Sequence, residues 1–214
     1  MKLIFQYNKE KDIWCILNKG KSSNNSPIPT KVYEELVATC GENPSADSTS
    51  SFVNKYFLDK NIKVNEYIEK YQRDWYSITE KYQKRAESVF GVSLPSDIVV
   101  YLTINNRCPY NIEDNYFFVT IPASSVRRTI MHELWHFYMW YGLGADQEEK
   151  LGKQKYNDLK EALTVLLNVE CKDLLPEGVY DGGYPQHKEV REEILEYWSK
   201  NKNIKDLWKY LQTK

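Results

Sequence analysis

Histidine is scarce in this 214-residue chain, which carries only 3. Long apolar runs are missing too, and none approaches the roughly 20 residues that a membrane-crossing helix needs. The opening residues, MKLIFQYNKEKDIW, place lysines and a glutamate where a secretory leader requires an unbroken apolar stretch, so no leader is expected. Neither charge sign is in excess: 29 Lys and Arg face 30 Asp and Glu, for a net charge of -1. That balance removes the electrostatic basis for nucleic acid or an anionic membrane as a main partner. Cysteines are few, and Cys15, Cys40, Cys108 and Cys171 form no CxxC pair, which excludes a zinc ribbon and a small disulfide scaffold. One disulfide between two of them stays open, but reduced thiols and a cytoplasmic location are the expectation.

Aromatic residues, by contrast, are plentiful. With 17 Tyr, 6 Trp and 7 Phe, the core and the walls of any site should be built largely from rings. The length suits one domain with a substantial core, or a domain with a modest appendage. Two short apolar runs at residues 3–7 and 13–17, parted by the polar step Asn8-Lys9-Glu10-Lys11-Asp12, read as a β-hairpin. Residues 18–29 are a loop by composition, residues 31–39 a short helix, and GENPSADSTSS a second polar stretch. Residues 1–60 therefore read as an N-terminal accessory segment, and 61–214 as the main domain. Over residues 64–90, Val64, Ile68, Tyr71, Trp75, Ile78, Tyr82, Ala86 and Val89 recur at steps of three and four. That spacing predicts one long helix with a core-facing aromatic stripe, stopped by Gly91. Strands follow at residues 98–104 and 116–121, joined by a turn over 105–114.

The most informative stretch is SSVRRTIMHELWHFYMWYG, which holds two of the three histidines. His132 and His136, four apart on a helix, project from one face and can share a metal ion. Glu133 points to the neighbouring side, where it can reach a water held by that ion; this spacing suits Zn2+ with a general base beside it. Ser124 or Ser125 can cap the helix, apolar residues fill it, and Gly142 is expected to end it.

A long helix, an antiparallel strand pair and then a HELWH helix resembles the order of elements in the zincin metalloproteases. The resemblance spans roughly residues 60–190, with HELWH as its specific part. It implies an α+β zincin-like fold: a small antiparallel or mixed sheet, packed on several helices, with residues 116–121 as an edge strand above the HExxH helix. A peptide or protein substrate would pair with that edge. It also implies a third ligand downstream, leaving one open position for water. Position 142 is Gly, so the metzincin third histidine is absent. Glu161, in NDLKEALTVLLN, is similar to the glutamate that gluzincins supply. Periodicity alone points elsewhere: Leu159, Leu163, Leu166 and Leu167 share one face, with Glu170 among them and Glu161 opposite, on the side a plain amphipathic helix would expose. Glu161 is the preferred ligand and Glu170 the alternative.

Gluzincins commonly carry an acid four residues after that glutamate to orient the first histidine. Here the position is Val165, leaving Asp158, Asn168 or a backbone carbonyl for the task. Further on, the turn-rich stretch VYDGGYPQH resembles the loop from which gluzincins offer a His or Tyr to the oxyanion. His187 and Tyr184 fit that role, or lie on the surface before the last helices. Together these readings imply a zinc-dependent metallopeptidase with one Zn2+ per chain, in which Glu133 serves a zinc-activated water as general base. The alternative is a zincin-like binding or scaffolding module with little turnover. A cysteine nucleophile has no local signature.

Overall fold

The computed structural model describes residues 1–22, 27–95 and 97–213. It is α+β, and all described strands lie in one mixed four-stranded sheet of order β1-β2-β4-β3. The chain divides into two compact units, one of Lys2–Asp74 with Ser96–Val126 and one of Met1, Trp75–Pro95 and Arg127–Lys214. Among the described residues, no helix is long and apolar enough to cross a membrane.

The first unit holds the sheet. Its first strand, β1 (Lys2–Gln6), turns Leu3 and Phe5 inward and Lys2 and Ile4 outward, as a half-buried strand should. Four helices follow: α1 (Lys9–Lys19), α2 (Lys31–Cys40), α3 (Ala46–Asp59) and α4 (Val64–Tyr76). The hairpin expected at the start of the chain is therefore not formed, because residues 13–17 lie inside α1. Asn8 caps that helix by accepting from the Lys11 amide at 3.0 Å. Glu10 and Asp12 then complement its dipole, and Asp12, Cys15 and Ile16 bury at helical spacing. Capping and 3.6-residue periodicity outweigh a five-residue apolar run. Of the expected loop at 18–29, residues 18 and 19 finish α1 and residues 23–26 lie outside the described residues.

Strand β2 (Asp97–Thr103) lies between β1 and β4 (Tyr116–Thr120) and is parallel to both. The expected antiparallel pairing of residues 98–104 with 116–121 is thus corrected. The chain reverses twice between them, because β3 (Tyr110–Asn111) forms a hairpin with β4, closed through Asn115 at φ 52. The same hairpin corrects the edge-strand expectation. With β3 on its far side, β4 is interior, and β1 and β3 form the edges. Beside the sheet, the carboxylate of Asp12 is fully buried. It accepts from Thr103 Oγ1 at 2.6 Å, Tyr7 OH at 3.1 Å and the Ile104 amide at 3.2 Å.

The second unit is helical: α5 (Thr79–Phe90), α6 (Val126–Leu143), α7 (Gln147–Leu151), α8 (Lys153–Leu163), α9 (Leu167–Glu170), α10 (Lys188–Lys200) and α11 (Ile204–Gln212). A tight 3-10 turn over Thr164–Leu166 joins α8 to α9. The single helix expected over 64–90 is two, α4 and α5. They part at Ser77 and Ile78, where the Ile78 amide donates to the Trp75 carbonyl at 3.0 Å and closes a shorter turn. Gly91 stops α5 in the left-handed conformation, φ 70, with its amide on the Glu87 carbonyl.

Aromatic packing fixes α6 against α5. Tyr82 OH donates to the Met131 carbonyl at 2.9 Å, and Phe90 meets Trp135 edge-on at 4.9 Å and stacks on Tyr138 at 6.0 Å. Gly142 does not end α6, which runs to Leu143. A Cβ at position 142 would stand 2.9 Å from the Phe90 carbonyl oxygen, so glycine is there for close approach, and the chain leaves the helix at Gly144, φ 110.

Candidate metal centre

Helix α6 commits Ile130, Met131, Leu134, Trp135, Phe137, Tyr138 and Met139 to the apolar interior. His132, Glu133 and His136 occupy its remaining side. The two Nε2 atoms are 3.1 Å apart. Glu161, from α8, brings Oε2 to 3.4 Å from His132 Nε2 and Oε1 to 3.5 Å from His136 Nε2. Three ligand atoms held tetrahedrally about 2.1 Å from a zinc ion stand roughly 3.4 Å from one another. The residues present therefore fit such an ion. His136 is sealed in, whereas His132 keeps 21% of its side chain exposed, so the cluster stays open to a small molecule.

Glu161 is buried because the whole run 159–167 is buried. A stretch covered on all sides has no solvent face, and the leucine stripe that pointed Glu161 to solvent carries no information there. Glu170 is not part of the group. Its Oε1 accepts from Trp198 Nε1 at 2.8 Å and Lys202 Nζ at 2.9 Å. Lys160, next to Glu161 and also buried, places Nζ 3.4 Å from Glu161 Oε1.

These groups shift one another strongly. Burial raises the pKa of Glu161, but His136, His132 and Lys160 more than reverse this and hold it well below the usual carboxylate range. Burial pushes Glu133 up to about 8; His132 pulls it down, while the Glu161 charge adds to the rise. His136 is driven well below its ordinary value, first by burial and then by Lys160 and His132, against the pull of Glu161. It is a neutral imidazole at neutral pH, as a metal ligand must be.

His132 behaves differently. Burial lowers its pKa, but the charge and hydrogen bond of Asp181, with Glu161, raise it well above normal. Its Nδ1 lies 2.7 Å from Asp181 Oδ2. Asp181 is therefore the acceptor sought for the first histidine, in place of Asp158 or Asn168. It belongs to the loop between α9 and α10. Asn168 grips its backbone, with Nδ2 donating to the carbonyl at 2.9 Å and Oδ1 accepting from the amide at 2.7 Å. Asp158 is occupied by His187 Nε2, at 3.0 Å. The one available signal for Asp181 was the Asp-Gly-Gly turn within VYDGGYPQH, which shows a tight bend but not where the carboxylate goes.

His187 is buried, and its Nδ1 has no hydrogen-bond partner among the described residues. The Tyr184 ring sits against it at 5.7 Å. His187 thereby reaches α8 through Asp158, one turn before Glu161. Comparison with family models, curated proteins and solved structures finds no match to this chain, so the centre is read from its own geometry.

Proposed function

We propose that this chain is a zinc-dependent metallopeptidase of zincin architecture, gluzincin-like in its ligand set of His132, His136 and Glu161. The observation that carries the reading is the grouping of two Nε2 atoms 3.1 Å apart with a carboxylate whose two oxygens come within 3.5 Å of them, on a helix that also carries Glu133. A zinc ion held by these residues would supply Lewis acidity and lower the pKa of a water to about 7. Glu133 would accept the proton of the attacking water and deliver it to the leaving amine. His136 and His132 would present Nε2 to the ion, and Glu161 would supply the negative charge of the set. His187 and Tyr184 are the candidate donors to the oxyanion of a peptide substrate. Four free thiols suit a reducing compartment such as the cytoplasm.

A second reading, a zincin-like binding module without turnover, draws on the position of β4, whose far side is taken by β3 at Tyr116 and Phe117 and so offers an extended peptide less edge than the zincin resemblance implies. Metal analysis combined with digestion of a broad peptide library separates the two. We expect about one zinc per chain and cleavage by the wild type. Glu133→Gln should keep the zinc and lose activity by several orders of magnitude, and His187→Ala should lower turnover about a hundredfold with zinc unchanged. Full zinc occupancy in the His132→Ala/His136→Ala double variant would overturn the metal assignment. A zinc-loaded wild type that cuts nothing would favour the binding module.

A further inference from the structure

We infer that Asp181 is the positioning residue for His132, and that Arg191 and Gly183 hold it to that task, so the loop between α9 and α10 is a working part of the metal centre. This rests on the zinc reading above. An imidazole that binds a cation through Nε2 carries its remaining proton on Nδ1, and that proton needs an acceptor to fix the tautomer and the ring orientation. Asp181 Oδ2 is 2.7 Å from that nitrogen. Position 165, where gluzincins place the corresponding acid, is a buried valine with nothing to offer.

The carboxylate is pinned from three directions. Asp181 Oδ1 lies 3.1 Å from both Arg191 Nη1 and Nη2, and 2.8 Å from Thr164 Oγ1, whose single proton is shared with the Glu161 carbonyl at 2.7 Å. Arg191 Nη2 also donates to the Asp181 carbonyl at 2.5 Å, and Asn168 holds the backbone from α9. Gly183, at φ 65, lets the guanidinium approach; a Cβ there would fall 2.5 Å from Arg191 Nη1. A structural ion pair would be satisfied by Arg191 alone. This carboxylate divides its oxygens, one for the arginine and one for the histidine.

With only three histidines, 15N-histidine labelling makes the test direct. Zinc-loaded wild type should show His132 as the Nδ1–H tautomer, with that proton slow to exchange. In Asp181→Asn we expect that proton to exchange fast and zinc affinity, measured by chelator competition, to fall about 10- to 100-fold. Arg191→Met should shift both readouts the same way, and the double variant should cost little more than Asp181→Asn alone, because the arginine acts through the carboxylate. Unchanged affinity in Asp181→Asn overturns the inference. So does lowered affinity with the His132 proton unaltered, which would make Asp181 merely structural. Failure of the wild type to bind zinc would instead sink the zinc reading, and the inference with it. Should Asp181→Asn not fold, Arg191→Lys, which keeps charge but loses the paired geometry, is read by the same two signals.

Discussion

Glu161 stands within 3.5 Å of both histidine Nε2 atoms, whereas Glu170 spends its Oε1 on Trp198 and Lys202. On the proposed zinc reading, Glu161→Ala should abolish tight zinc binding, since one of three protein ligands would be lost. Glu170→Ala should leave zinc content intact but destabilise the fold by about 1–3 kcal/mol, because Trp198 Nε1 loses a charged acceptor. Zinc titration and urea unfolding of both variants check this, and the reverse ranking would return the ligand role to Glu170. At this scale the pairing of His132 with His136 was legible because both lie on one helix turn, and spacing alone brings their rings together. Asp181 was not, because its contact with His132 crosses 49 residues of sequence and depends on how a Gly-Gly turn is pulled in by an arginine. No periodicity encodes that.

Among the elements, the α5–α6 contact decides how firmly the histidine helix is held. Gly142→Ala sets two effects against each other. Alanine is the better helix former by about 1 kcal/mol. Its Cβ, however, would press on the Phe90 carbonyl oxygen at 2.9 Å, and backbone cannot swing aside. Overpacking of this kind costs about 1–3 kcal/mol, so net destabilisation is expected in thermal unfolding, and a more stable variant would show that α5 moves freely. Long elements with a strong apolar period were readable, as in the stripe of Tyr71, Trp75, Tyr82 and Ala86. Its interruption at Ser77 and Ile78 was not, because the stripe keeps its phase across the break. Strand direction was equally hidden: β2 and β4 have the composition of a hairpin pair, and only the two-residue β3 makes them parallel. Residues 13–17 were ambiguous because five apolar-leaning residues fit either period, and the cap at Asn8 decided the matter.

For the molecule as a whole, Asp12 predicts how stability follows pH. Burial raises its carboxyl to about 6, outweighing the hydrogen bonds from Thr103, Ile104 and Tyr7 that pull it down. A carboxyl with a raised folded pKa holds its proton more tightly when folded. Its burden on folding is therefore absent below about pH 4, grows through about pH 6 and stays constant above, reaching about 3 kcal/mol. The Asp12→Asn substitution keeps the shape and removes the titrating group, and Tyr7 OH can still donate to the amide oxygen or turn to accept from its nitrogen. That variant should accordingly gain about 2 kcal/mol on the wild type between about pH 4.5 and about pH 7.5 in urea unfolding. A difference that does not change with pH would mean the carboxyl titrates normally. The placement of Asp181 has an outcome in time as well as in space. As the chain is synthesised, His132, His136 and Glu161 all emerge before the loop that orients His132, and Arg191 comes later still. On the proposed zinc reading, a nascent chain halted between Glu161 and Asp181 would own all three ligands yet grip the ion loosely, so firm loading would wait until Arg191 has emerged.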